Sequence, residues 1–262
     1  MQCKEIIEVL EKVAPSCYAL EWDNVGLLVG RKDKEVERIL IALDATKDVI
    51  DKCIDEHIDL LITHHPLIFR GVKQVSDSDF IQRRILDLAR NDTAYYAMHT
   101  NFDVSKMGEL VADLLGIKDR RVLDITYSDV FTSRIEGCGR HGKLGSIYSL
   151  KEYAHQVKEQ LYIDNVIVYG QLDSLIESVA VLPGSGADCI GKALDLGVDL
   201  YITGDIKYHD AIDAMEQGLS IIDVGHYGGE KIFIPYMASY LKMELSKVDI
   251  MTYKKEPLIC IL

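Results

Sequence analysis

Two adjacent histidines end an apolar run, Leu60-Leu61-Ile62-Thr63-His64-His65-Pro66. The run reads as a buried parallel strand that delivers two imidazoles to its C-terminal end, where open α/β sheets build their sites. Pro66 removes a backbone donor and helps end the strand. Neighbouring side chains on an extended backbone point to opposite sides, so one ion held by both histidines is awkward and two ions sharing them is easier. A lone strand-end histidine is commonly satisfied by a backbone carbonyl, but a pair in this place points to metal.

Two more pairs carry ligand-type residues, His99 with Asp103 and His226 with Glu230. For His226 and Glu230, a spacing of four at a helix start puts both on one helical face. The imidazoles of His64, His65 and His226 with the carboxylates of Asp103 and Glu230 suit two divalent metal ions per chain. Zinc, manganese, iron, cobalt or nickel fits this mixed donor set better than calcium or magnesium, which want mostly oxygen. A two-metal site with waters activates a nucleophile near neutral pH and polarises a carbonyl, phosphoryl or ring carbon, so hydrolysis is its natural chemistry. His99 has no ligand partner of its own and reads either as a general acid or base beside the metals or as a group orienting Asp103. His209 and Asp210 are candidates for substrate contact or a solvated helix start. Trp22 reads as a packing residue rather than a stacking platform, with Asp23 and Asn24 lining the cleft. Pro183-Gly184-Ser185-Gly186-Ala187-Asp188 reads as a tight turn or a phosphate-binding turn, and Arg140-His141 as loop residues or contacts for an anion.

The elements that position these residues repeat. Apolar positions at helical spacing from Cys3 to Val13 open the chain, and Pro15 ends that helix. Strands are expected over 26–30 and 39–43, a helix over 47–56, then the histidine strand, a helix over 80–90, a strand over 94–98 and a helix near 107–115. The second half opens with a glycine-rich passage, 137–142, then a helix over 150–161 and strands over 166–169 and 179–182. From there the order recurs: Ala42-Leu43-Asp44, a helix and Leu60 to Thr63 match Ala180-Val181-Leu182, a helix and Leu200 to Thr203. Tyr95 to His99 matches Ile221 to His226, and a last helix is expected over 229–241 and a strand over 258–262. The fold class is therefore α/β, two similar β-α-β-α-β lobes made by internal duplication, with the metal site in the cleft between them. The first lobe covers 1–125 and carries His64, His65 and Asp103. The second covers 126–262, and its C-terminal helix supplies His226 and Glu230.

At 262 residues the chain has room for one large or two smaller domains. A formal charge of −13 counts against a nucleic-acid-binding exterior, although a local basic groove stays open. The six cysteines form no Cys-x-x-Cys pair and read as reduced, buried thiols of a cytoplasmic protein. No apolar run approaches a membrane span, so no membrane partner is expected.

Trp22-Asp23-Asn24-Val25-Gly26-Leu27, Thr63-His64-His65-Pro66, His99-x-x-x-Asp103, Thr203-Gly204-Asp205 and Gly225-His226-x-x-x-Glu230 run over nearly the whole chain. Together they resemble the Nif-three-like dinuclear-metal family, whose bacterial and archaeal members are often named GTP cyclohydrolase I type-two homologues. The resemblance implies a metal pair held by His64, His65, Asp103, His226 and Glu230, with Glu230 bridging, and a ring-shaped homohexamer with the sites facing its interior. The extra central domain of longer relatives is missing here, so functions resting on it do not carry over. Two functions follow. One is a metal-dependent, cyclohydrolase-like hydrolase acting on a nucleotide- or pterin-like small molecule. The other is a non-catalytic ring-shaped binding or regulatory protein, or a metal carrier, associated with nucleic-acid machinery. An NAD-type reading is disfavoured, because no Gly-x-Gly-x-x-Gly turn follows the first strand.

Overall fold

The computed structural model describes residues 1–254, so the strand expected over 258–262, with Cys260, lies outside the described residues. The chain begins with α1 (Cys3–Val13), β1 (Gly26–Val29), β2 (Arg38–Ala42), α2 (Lys47–Asp55), β3 (Leu60–Thr63), α3 (Phe80–Arg90), β4 (Ala94–Ala97) and the single turn α4 (Thr100–Phe102). A π-helical turn, Asp103–Met107, leads into α5 (Gly108–Leu114), β5 (Lys118–Asp129), β6 (Arg134–Ser149) and α6 (Leu150–Leu161). Then come β7 (Ile167–Tyr169), β8 (Leu175–Ser185), α7 (Ile190–Asp195), β9 (Leu200–Gly204), α8 (Tyr208–Glu216), β10 (Ser220–Asp223) and α9 (His226–Glu230). Finally, α10 (Phe233–Glu244) and β11 (Asp249–Thr252) end the described chain.

Two compact units result, the first made of Met1–Phe102 with residues 233–254 and the second of Asp103–Ile232. The division thus differs from the boundary read at residue 125. The helix expected over 229–241 is split: α9 stays in the second unit and α10 belongs to the first. The physical reason is edge completion. β11 pairs in parallel with the otherwise open side of β2, and α10 packs on both strands.

In the first unit the sheet order is β1-β4-β3-β2-β11, with β1 antiparallel and the rest parallel. The central strands are apolar throughout because both faces are covered. Leu40, Leu61 and Tyr95 face α2 and α3, packing with Val49, Ile50, Cys53, Ile85 and Leu88. Tyr96, next along β4, points the other way, and its hydroxyl donates to Glu11 of α1 at 2.9 Å. Tyr240 of α10 donates to the Val9 carbonyl at 3.1 Å, so α1 and α10 cover that second face together.

The second sheet runs β5-β6-β8-β9-β10-β7. Its parallel core β8-β9-β10, edged by antiparallel β7, repeats β2-β3-β4 edged by β1. Details of the repeat agree. Asp59 Oδ2 accepts from the Glu37 and Arg38 amides at 2.9 and 3.1 Å. Asp199 Oδ2 accepts from Glu177 and Ser178 at 3.0 and 2.8 Å. Each aspartate pins the start of the strand before its own.

The long antiparallel pair β5 and β6 replaces the glycine-rich loop expected over 137–142. Glycine is needed there for close backbone approach. A Cβ at Gly137 would strike the Asp124 carbonyl, and one at Gly142 the Lys118 carbonyl. Among the described residues, no helix is long and apolar enough to cross a membrane.

Candidate metal centre

β3 is flanked by β2 and β4, and the register sets what surrounds its end. Ala42 and Ala97 lie level with Thr63, so Asp44 comes level with His65 on one side and His99 on the other. The turn after the strand is locked by Tyr95. Its hydroxyl donates to the His65 carbonyl at 3.0 Å and accepts from the Leu67 amide at 2.7 Å.

His64 is fully buried, with its ring against Phe233 at 5.3 Å and Phe102 at 6.2 Å between centroids. Its Nδ1 lies 2.8 Å from the Met98 carbonyl. A carbonyl oxygen only accepts, so Nδ1 carries the proton and Nε2 keeps its lone pair. His65 Nδ1 lies 2.8 Å from Asp44 Oδ1, and His99 Nδ1 lies 2.9 Å from Asp23 Oδ1. All three imidazoles are thus held at Nδ1 by an acceptor, the arrangement that fixes tautomer and ring direction in metal-bound histidines. The three rings meet at centroid separations of 4.9, 5.4 and 5.7 Å, and one nitrogen of each lies within 4.8 Å of the others.

Asp23 does more than orient His99. Its Oδ2 accepts from the Thr100 amide at 3.0 Å and the Thr100 hydroxyl at 2.6 Å. Burial alone would raise this carboxyl, but the hydrogen bonds from His99 and Thr100 outweigh it and pull the pKa down to about 2.

In the second unit, His226 and Glu230 occupy α9 as the spacing predicts, with His226 Nε2 3.2 Å from Glu230 Oε2. His226 Nδ1 lies 2.7 Å from Asp205 Oδ2, the same tethering seen in the first unit. Asp205 holds this pose at a φ of 59°, in the left-handed region that aspartate tolerates. Glu230 is 3% exposed, and a carboxylate oxygen of Asp103 lies within 4.8 Å of one of its own. Two carboxylates so close, one of them buried, favour a cation between them. Asp103 itself opens the π-helical turn, an irregularity frequent at functional sites.

The second copy has made room for this cluster. Thr63-His64-His65 is matched in register by Thr203-Gly204-Asp205. A Cβ at Gly204 would sit 2.9 Å from the His226 amide, and one at Gly184 would strike Glu230 Oε1. Gly184 and Gly186 thus serve close approach to Glu230 and to the Tyr201 and Thr203 hydroxyls, which accounts for the glycine-rich turn. The register also corrects the duplicate match. Met98 and Val224 donate to the equivalent carbonyls of Thr63 and Thr203, so His99 corresponds to Gly225, and His226 stands one residue further on.

Other sequence candidates lie elsewhere. His209 is exposed at the start of α8, beside the Tyr208 ring, and joins none of these groups among the described residues. Arg140 is 3% exposed and pairs with Glu109 at 2.6 Å while donating to the carbonyls of Gly137 and Gly139, so it is occupied within the fold. Asp44 and Asp205 are the partners that sequence reasoning passed over as orienting groups. The signal was present, since an aspartate two residues beyond β2 must lie level with one two residues beyond β3.

The chain matches the Duf34/NIF3 (NGG1p interacting factor 3) family over residues 1–257. A Clostridium perfringens protein named GTP cyclohydrolase 1 type 2 homolog is 36% identical over 88% of this chain and 87% of its own length. A Clostridium acetobutylicum protein of the same name is 34% identical over 96% of this chain and 94% of its own. Among solved structures, a Bacillus cereus protein related to NIF3 superposes with a TM-score of 0.92 at 27% identity, covering 100% of this chain and 99% of its own. The histidine and carboxylate clusters therefore sit in a chain that belongs to the Duf34/NIF3 family.

Proposed function

We propose that this chain binds two divalent metal ions through His64, His65, Asp103, His226 and Glu230, and acts as a metal-dependent hydrolase on a nucleotide- or pterin-like small molecule. The observation that carries the reading is the tethering of imidazoles at Nδ1: His64 to a carbonyl, His65 to Asp44, and His226 to Asp205. Imidazoles that only packed would not each need an acceptor fixing Nδ1 and leaving Nε2 able to ligate. The donor set fits first-row divalent ions. When bound, such ions supply a Lewis acid and a water of lowered pKa.

The chain's own residues do the remainder. Asp44 and Asp205 hold the imidazoles in the tautomer that leaves Nε2 able to ligate. Glu230, buried and next to Asp103, is the residue we assign to bridging. His99 accepts or gives a proton at Nε2, and the Asp23 carboxylate on its Nδ1 stabilises the imidazolium that forms. The substrate class rests on the name carried by the relatives, GTP cyclohydrolase 1 type 2 homolog. We further place the protein in the cytoplasm as a homohexamer.

A second reading has one observation in its favour, since the family description names a protein interaction. On that reading the protein is a non-catalytic ring-shaped binding or regulatory protein, or a metal carrier, associated with nucleic-acid machinery. The net charge of −13 disfavours direct contact with nucleic acid.

Elemental analysis of wild type beside His65→Ala and Glu230→Ala tests both. About two metal atoms per chain, falling in both variants while the fold survives, is the expected result. No metal after divalent ions are added back under reducing conditions would overturn the metal-binding reading. Bound metal without turnover of nucleotides or pterins would move the function to the second reading.

A further inference from the structure

Trp22 is the chain's single tryptophan, and the structure leaves it 57% exposed rather than packed; Phe69 is 50% exposed beside it. Their ring centroids are 5.7 Å apart at an interplanar angle of 50°. Both rings also meet His99, Trp22 at 5.9 Å and Phe69 at 6.4 Å, edge to face. The aromatic pair therefore borders the three-histidine cluster of the first unit.

What holds the two rings out is a polar scaffold turned inward. Asp23 is tied to His99 and Thr100, and its side chain is 0% exposed. Asn24 Nδ2 donates to the Ile68 carbonyl at 2.5 Å, which fastens the loop bearing Trp22 to the loop bearing Phe69. The residues beside the aromatics thus do the folding work, and the aromatics themselves are left over. Large exposed rings on rigid anchors mark a binding surface. A patch two rings wide is far below the roughly 800 Å² per partner of a stable protein interface, so its natural occupant is a small ligand. With the two rings tilted by 50° rather than parallel, a flat ring stacked on the exposed face of one would meet the other at its edge. Flat heteroaromatic rings are recognised in this way because each has a π-face to stack.

We propose that Trp22 and Phe69 form a stacking platform for the planar heteroaromatic ring of the ligand, a purine or a pteridine, with His99 at its edge. This deepens the hydrolase reading above and rests on it for the ligand's place beside the metals, but the platform is testable separately.

Trp22 makes the test direct, because all tryptophan emission comes from the platform. GMP, AMP and pterin are titrated into the metal-loaded protein, followed by calorimetry and, for the nucleotides, by quenching of Trp22; ribose phosphate is the ringless control. At least one ringed probe is expected to bind saturably and ribose phosphate not to bind. Phe69→Ala and Trp22→Ala are each expected to weaken that binding by about tenfold or more, and Trp22→Phe to restore most of it. Metal content and circular dichroism should stay those of wild type in all three variants. Absence of binding by every ringed probe, or binding that survives both alanine substitutions within about twofold, would overturn the platform. Metal content separates this from the parent reading. Two ions with no ring binding sinks the platform alone, whereas ring binding without metal sinks the hydrolase reading alone.

Discussion

Asp44 Oδ1 stands 2.8 Å from His65 Nδ1, brought there by the parallel register of two neighbouring strands. The pair is a consequence of topology, since β2 and β3 each end at the same level and each carries a polar residue two positions beyond. Replacing Asp44 with alanine removes the acceptor that fixes the His65 tautomer without touching a ligand. Metal affinity is expected to fall about 10–100-fold, measured by competition with a chelator, while stability changes by less than about 1 kcal/mol. Unchanged affinity would mean that His65 is oriented by something other than Asp44.

Much of this was legible in the sequence because strand ends carry it. The run from Leu60 to Pro66 announces both a buried strand and its chemistry, and the matched order of three elements announces the duplication. What escaped was long-range. Nothing local to Gly137–Gly142 distinguishes a glycine-rich loop from a strand whose glycines admit the carbonyls of β5, because the reason lies in residues 118–124. The return of α10 to the first unit was equally hidden, since a helix's apolar face does not say which sheet it will cover. Trp22 was misjudged as packing for a related reason: its neighbours Asp23 and Asn24 turn inward, and the alternation leaves the tryptophan outside.

Gly184 has a φ of +79° and lies against Glu230 Oε1, so it is constrained twice. In Gly184→Ala the added carbon strains the backbone and displaces the buried carboxylate. The variant is expected to lose about 1–3 kcal/mol in urea denaturation and also to lose metal. A Gly184→Ala protein with wild-type metal content would show that Glu230 has freedom the structure does not give it.

Asp23 predicts a pH dependence whose sign follows from its depressed pKa. Burial works against the charged carboxyl, but the bonds from His99 and Thr100 win and leave it at about 2 in the folded chain. Unfolded, an aspartate titrates near 3.9. The stabilisation from the charged form is therefore complete above about pH 4 and is lost as the pH falls toward about 2, a change of about 2 kcal/mol. In chelator-treated protein, the stability gap between wild type and Asp23→Asn should narrow as the pH falls from about 4 to about 2. A gap that stays constant down to pH 2 would remove the hydrogen bonds to His99 and Thr100 as its source.

The hairpin of β5 and β6 makes the last prediction. At its tip Val130 is 88% exposed and Phe131 fully exposed, and Ile125, Ile135 and Ile147 along the arm are each more than half exposed. Such a surface carries a cost in water unless another molecule covers it. In the homohexamer proposed above, copies of this chain would be the cover. Sedimentation of wild type should report a hexamer, and Phe131→Asp should shift it to smaller species by placing a charge where apolar contact is needed. Because Phe131 is fully exposed, the variant should keep its circular dichroism. A monomeric wild type would remove the hexamer. A Phe131→Asp protein that still assembles would place the contact on another surface and leave the exposed arm for a different partner.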